Sequence, residues 1–351
     1  MHNKISFTEA ICEATRQSME ADPKIFVMGL GVSYPNGADG TTKGLKEKFP
    51  ERILDVPVSE ACITGTGVGA AIRGLRPLIH HGRVEFAFLG TDQIVTQAAK
   101  WNYMLGGDNP VPAVFRLAVG RQWGNGPQHT QGMYSLYGSV PGLKVVVPSG
   151  PARAKGLLAS ALKDNNPVVY MEPRWLYGTR ENVNSSLYFD DLSCASVLRE
   201  GTDFSIVTYG DGILEALHAE KILRAELGIH VEIIDLVSLH PIDYRTVYKS
   251  IRKTGRLLVF DTTNSSFCVG SEVIAKCCQN EFRSLKSGPI SISCPDVPCP
   301  TSTSLTEVFY PNYQNIVKEV CRALGVPSSP LPKPSFEDLH YAPKFDFNEA
   351  S

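Results

Sequence analysis

The chain has 351 residues, 43% apolar and 20% charged, a composition of soluble globular proteins and a length sufficient for two domains with their own cores. Its 34 basic and 36 acidic side chains leave a formal charge of −2, which excludes the basic field that nucleic acid or an anionic membrane would select. Nine scattered cysteines without a C-x-x-C pair read as reduced thiols, not as a disulfide framework or a zinc site.

The opening segment "MHNKISFTEAICEATRQSMEAD" has no secretory apolar core, and its acids are wrong for an organelle address. With no run of 18 apolar residues, the expectation is a soluble, cytoplasmic chain. Ser6 and Glu9 are spaced as a capping box and open a helix. A short buried strand, "KIFVMG", follows, then a loop rich in Gly, Pro and Asn. Further strands are expected at "RILDV", "RPLIHH", "VPAVFRLA", "LKVVVP" and "NPVVYME", with helices beginning near Glu60, Thr91 and Pro151. Alternation of this kind predicts a mostly parallel sheet with helices on both faces. Residues 178–201 are polar and aperiodic, and read as a linker with a short edge element. The alternation restarts at "DFSIVTYG" and the helix "GILEALHAEKILRAEL", and ends at "PISISC". The fold class is therefore α/β in two domains. A cofactor domain covers 1–178, a linker 179–201, a smaller α/β domain 202–325, and a proline-rich tail 326–351 lies extended or partly disordered.

The stretch "VPVSEACITGTGVGAAIRGLRP" poses the main question. Gly65, Gly67 and Ala70 match the G-x-G-x-x-G/A spacing of a dinucleotide-binding turn, and Glu85 follows. That turn needs its first glycine directly after a strand and a long helix behind it. Here the strand ends near Val56, and "GLRP" breaks the helix soon after Ala70, which argues against a nicotinamide cofactor. Instead Ser59 is placed to cap a helix from Glu60 to about Arg73, with Ala61, Gly65 and Gly69 as a small-residue face for close packing. Glu60 then stands at the carboxyl end of a parallel strand, where such sheets bind ligands. Equally, it could merely complement the helix dipole.

Residues 41–178, through P-x-S-E (57–60), D-Q-I (92–94) and Q-H-T-Q (128–131), together with "VEIIDLVSLHPIDYRTVYKSIRKTGRLLVFD" in the second half, resemble the beta subunit of the thiamine-diphosphate-dependent 2-oxo acid dehydrogenases. The similarity runs to about residue 325, and it implies a transketolase pyrimidine-binding domain and a transketolase C-terminal-like domain. It also implies that Glu60 hydrogen-bonds a ring nitrogen of the cofactor's aminopyrimidine, that Phe86 packs on that ring, and that His129 is an active-site histidine near the substrate. Taken alone, Phe86 could be an ordinary core residue and His129 a structural one. The only G-D-G, Gly210 to Gly212, has no asparagine at the family's downstream spacing and reads as a strand-to-helix turn, so no metal site is expected here. The resemblance therefore implies thiamine diphosphate shared with a separate alpha-type subunit that holds Mg2+, in a heterotetramer of two alpha and two beta chains. A lipoyl acyltransferase core is a further partner it allows.

Two departures stand out. The family's acidic pair after the first strand is replaced by Leu30-Gly31, and "LIHHGRVEF" introduces His80, His81 and Arg83 where the family has an acidic and apolar run. The three side chains could bind an extra anionic group on the substrate, or form relocated structural ion pairs. Trp123, in the loop before His129, could shape the pocket or simply pack. Two alternatives remain open: a transketolase-like carbon–carbon ligase half with a non-lipoyl acceptor, and a non-catalytic stabilising partner of the alpha-type chain.

Overall fold

The computed structural model describes residues 2–121, 124–327 and 345–348. Trp123 and most of the proline-rich tail lie outside the described residues. The chain divides into two compact units. One comprises the described parts of Met1–Arg121, Leu136–Leu192 and Ala342–Ser351, the other those of Gln122–Ser135 and Ser193–Tyr341.

The first unit contains strands β1 (His2–Ser6), β2 (Ile25–Gly29), β3 (Ile53–Asp55), β4 (Arg76–His81), β5 (Val114–Val119), β6 (Lys144–Val146), β7 (Val168–Pro173) and β8 (Arg180–Asn184). Strands β6, β7, β5, β4, β2 and β3 are hydrogen-bonded in that order, all in parallel. β5 and β7 are buried at every position and β4 at all but its first, because the sheet is covered on both faces and strands of this kind lose the polar alternation of a half-exposed one. The helix Phe7–Ala21 buries Phe7, Ala10, Ile11, Ala14 and Ser18 along one stripe and carries the predicted capping box: Glu9 N–H donates to Ser6 Oγ at 3.2 Å, and Ser6 N–H to Glu9 Oε2 at 2.7 Å. It lies against the helix Pro151–Lys163.

The unit boundaries differ from those read in the sequence. Residues 179–192 stay with the first unit because β8 pairs antiparallel with β1. Beyond β8, the Tyr188 hydroxyl donates to Ala152 O at 2.6 Å, and Arg153 pairs with Asp190. The tail returns as well: Arg180 N–H donates to Phe345 O, and Phe347 N–H to Arg180 O.

The small-residue face is also corrected. In the helix Glu60–Ile72, Ala61 and Gly69 are exposed. The close approach occurs at Gly67, where a Cβ would stand 2.3 Å from Ile79 Cδ1 of β4. Ser59 occupies the N-cap position, but its side chain makes no capping bond.

In the second unit the strands Ile290–Cys294, Leu257–Asn264, Phe204–Thr208, Val231–Asp235 and Ser196–Arg199 are neighbours in that order, and the last is an antiparallel edge. Gly210 to Gly212 form the turn between the strand Phe204–Thr208 and the helix Gly212–Leu227. Asp211 accepts a hydrogen bond from Thr262 Oγ1 at 3.0 Å. No helix among the described residues is long and apolar enough to cross a membrane.

Candidate active site

In the first unit the site grows from the carboxyl ends of β3 and β4. After β3, a short loop turns into the helix that begins at Glu60. After β4, the chain passes Gly82 and Arg83 and enters a tight turn, Phe86–Gly90. Gly90 lies against Thr64, so this turn packs on the first turns of the Glu60 helix. Glu60 and Phe86 are thus brought onto neighbouring elements. Gln93, from the D-Q-I motif, lies against the same helix, its side chain 3.5 Å from a Cβ placed on Gly65. Its amide oxygen is buried without a hydrogen-bond partner among the described residues.

The decisive property of Glu60 is its isolation. Its residue is only 8% exposed, yet among the described residues its carboxylate makes no hydrogen bond or ion pair, while its backbone carbonyl is engaged. Glutamates buried to this degree ordinarily have partners. Phe86 behaves in the opposite way from a core aromatic, remaining 37% exposed.

Thr64 is a positioning residue that the sequence did not reveal. Its hydroxyl donates to Glu60 O at 2.6 Å. It therefore accepts from His81 Nε2, 3.2 Å away, which assigns the ring proton to that nitrogen. Through this pair β4 fixes the first turn of the helix that presents Glu60.

The same bonds recast the two histidines. His80 and His81 are buried in β4. Burial holds the His81 imidazole down to about 4; His80 is depressed well below its ordinary value, first by burial and then by the Arg116 charge beside it. Both are therefore neutral at pH 7, and the positive charge suggested by the sequence at this place rests on Arg83 alone. Arg83 is half-buried and feels the charges of Arg174, Glu85 and Asp39. Consecutive strand residues are both buried here because β4 is covered on both faces.

A consequence for stability follows. The unfolded chain takes up protons on these rings near pH 6.5, whereas folded His81 does so only near pH 4. Stability held above pH 6.5 is therefore lost as pH falls toward 4, by about 3 kcal/mol from His81, and His80 acts in the same direction. Denaturant unfolding at pH 7, 5.5 and 4.5 should show this decline. The double replacement H80N/H81F should remove up to about two protons from the slope; an unchanged slope would place the acid sensitivity elsewhere.

At positions 30 and 31, the place of the missing acidic pair, Gly31 is left-handed (φ 74°) and its N–H donates to Asp55 Oδ1 at 2.9 Å. Ser33 Oγ donates to Asp55 Oδ2 at 2.8 Å. A carboxylate from the end of β3 thus fastens the loop.

His129 belongs to the second unit. It sits half-buried in a loop closed by His129 N–H to Gly126 O and by Thr130 Oγ1 to Gly126 O at 2.5 Å. The next residues, Thr130 and Gln131, line a cleft of about 310 Å3 with Thr263, Asn264, Asp296 and Tyr310. Among the described residues no group of three or more His, Cys, Asp or Glu side chains could hold a metal ion.

Residues 3–179 match the family "Transketolase, pyrimidine binding domain", and residues 194–316 match "Transketolase, C-terminal domain". The beta subunit of the mitochondrial pyruvate dehydrogenase E1 component of Saccharomyces cerevisiae is 36% identical over 91% of this chain and 88% of its own length. The beta subunit of acetoin:2,6-dichlorophenolindophenol oxidoreductase from Cupriavidus necator is 38% identical over 90% and 96%. A solved split-gene transketolase, an inactive beta4 tetramer, shares the fold with a TM-score of 0.75 at 23% identity, covering 92% of this chain and 99% of its own. The fold and site thus define a transketolase-like protein built from the pyrimidine-binding and C-terminal domains. Within that class, the chain belongs to the family of beta subunits of thiamine-diphosphate-dependent 2-oxo acid dehydrogenases.

Proposed function

We propose that this chain supplies the pyrimidine half of an active site that decarboxylates a 2-oxo acid and passes on the acyl unit. The alpha-type subunit supplies the diphosphate half and its Mg2+, in an assembly of two alpha and two beta chains. The observation that carries the reading is Glu60, a residue only 8% exposed whose carboxylate has no partner among the described residues. Together with the accessible Phe86 ring, it fits an aminopyrimidine: an aromatic face for stacking and an acceptor for a ring nitrogen. Thiamine diphosphate, when bound, supplies a thiazolium carbon that adds to the 2-oxo group and accepts the electron pair left when carbon dioxide departs.

The chain's own contribution is proton control and orientation. Glu60 shares a proton with the pyrimidine ring nitrogen and so favours the tautomer whose exocyclic nitrogen acts as a base. Phe86 holds the ring plane. Thr64 and His81 keep the helix start in register. His129 offers an imidazole to donate a proton to the substrate or to position it. A lipoyl arm is the acceptor we favour over a sugar, because the relatives are named as subunits of a pyruvate dehydrogenase and an acetoin oxidoreductase and not of a sugar-transferring enzyme.

The test mixes this chain with its alpha-type partner, thiamine diphosphate and Mg2+, and follows carbon dioxide release from a panel of 2-oxo acids. Release that requires both chains, with product appearing on added lipoyl domain, is expected. Normal cofactor binding without release from any 2-oxo acid would overturn the reading.

A further inference from the structure

The two family matches end at residues 179 and 316, so β8 and the tail segment 345–348 lie outside both. The two segments nevertheless meet in the first unit. Arg180 bridges Asp346 in parallel: its N–H donates to Phe345 O at 2.7 Å, and Phe347 N–H donates to Arg180 O at 2.9 Å. On its other edge β8 pairs antiparallel with β1. A two-stranded ribbon is marginal by itself, and the tail adds a third strand at the start of β8.

The tail's side chains alternate as a strand requires. Phe345 and Phe347 share one face, their rings edge to face with centroids 5.1 Å apart. The Phe347 ring lies over the turn after β6. A Cβ placed on the buried Gly150 would stand 3.2 Å from two of its ring carbons, so a larger side chain there would push the ring away. Asp346 falls on the other face, where its Oδ2 forms an ion pair with Lys4 of β1. Its Oδ1 accepts from Asn348 N–H at 3.0 Å and Asn348 Nδ2 at 2.8 Å, an Asx turn that ends the strand. The other charges nearby are already engaged. Glu181 accepts from Ala152 N–H at 2.9 Å and repels Asp346. The Arg180 guanidinium pairs with Glu9 at 3.3 Å, and Arg153 pairs with Asp190 at 3.2 Å. Lys4 is therefore the cation that selects an acid at the middle position.

We propose that the edge of β8, the Gly150 turn and Lys4 form a docking groove for an aromatic–acid–aromatic peptide, and that its ligand is this chain's own tail, bound in cis as a detachable strap. Recognition is by strand addition: main-chain bonds supply affinity, and alternate side chains supply specificity. A covalently attached ligand has an effective concentration on the order of millimolar, so even a weak intrinsic affinity keeps the groove filled. An external segment of the same chemistry enters only when the strap is displaced. The strap clasps both strands of the ribbon, through Arg180 of β8 and Lys4 of β1. None of these residues belongs to the Glu60 site, so the groove does not depend on how that site is read.

The experiment uses the full chain with its strap disabled by Phe345→Ala and Phe347→Ala, and adds a fluorescent peptide, PKFDFNEAS (residues 343–351), in trans. Saturable binding to this variant is expected, with binding to the wild-type chain weaker by roughly tenfold or more because the tethered strap competes. A peptide carrying Phe347→Ala should bind the disabled chain about tenfold more weakly. A peptide carrying Asp346→Lys should prefer a disabled chain that also carries Lys4→Glu, by the few-fold of an exposed ion pair. Gly150→Val in the disabled chain should abolish binding, and thermal melts confirm that each variant is folded. In the wild type, hydrogen exchange at the Arg180 and Phe347 amides should be slow, equally so in dilute and concentrated protein. Absence of saturable binding to the folded, disabled chain overturns the groove, as does undiminished binding of the Phe347→Ala peptide. Protection that grows with protein concentration would assign the strap to a second copy and overturn docking in cis.

Discussion

Replacing Glu60 by glutamine is expected to lower carbon dioxide release in the reconstituted enzyme by roughly 10²–10⁴-fold, the range for losing a positioned proton-transfer group, while leaving the isolated chain as stable as before. The two halves of this result answer different questions. Were Glu60 only a helix-dipole partner, its neutralisation would cost about 0.3–1 kcal/mol of stability and leave catalysis intact. The structure favours the opposite pattern, because the carboxylate gives up no described hydrogen bond or ion pair when it becomes an amide. Glutamine keeps the side-chain volume and can still meet a ring nitrogen, but it cannot shift the proton balance. Parallel melts of the apo chain and progress curves of the assembled enzyme read the two effects separately. A destabilised chain with full activity would return Glu60 to a structural role.

Much of this arrangement was legible in the sequence because it is local. The capping box at Ser6 and Glu9 needs only four residues, and it forms as read. The helix "GILEALHAEKILRAEL" spans the predicted residues, 212–227, since its apolar spacing and the glycine that follows fix both ends. What failed was set by distant partners. β1 and β8 are polar, mostly exposed segments, HNKIS and RENVN, and only their mutual pairing makes them strands. The four-residue spacing of Ala61, Gly65 and Gly69 marks a face but not what it meets, and the rotation of the helix on β4 chooses Gly67 instead. Two histidines in a row look like charge. In a strand buried on both sides they become neutral packing groups, and one of them steadies Thr64. The Glu60 position was legible as the end of a strand, whereas its lack of a partner is a property of the folded surroundings.

Removing the Glu172 side chain is expected to be the most destabilising single change in the first unit, at about 3–5 kcal/mol for Glu172→Ala. Arg116 and Glu172 are fully buried and joined by two parallel bonds, from Nε to Oε2 and from Nη2 to Oε1, each 2.8 Å. The Tyr177 hydroxyl donates to Glu172 Oε1 at 2.6 Å, and Arg116 Nη2 also donates to Thr41 Oγ1 at 2.5 Å. The pair thus links β5 and β7 to the loop at Thr41 and the turn after β7. Arg116 Nη1 is already buried without a partner, so the guanidinium depends on Glu172 for its compensation. Without it a full positive charge stays in the core beside the neutral His80. The size of the loss therefore measures an abandoned charge and not the net worth of the pair. This distinction is testable, since the double replacement R116M/E172L removes both charges and should recover much of the stability lost in Glu172→Ala. Denaturant titrations of the wild type, both single variants and the double variant complete the cycle. If the double variant were as unstable as the sum of the singles, the bonds to Thr41 and Tyr177, and not the buried charge, would be what holds this end of the sheet together.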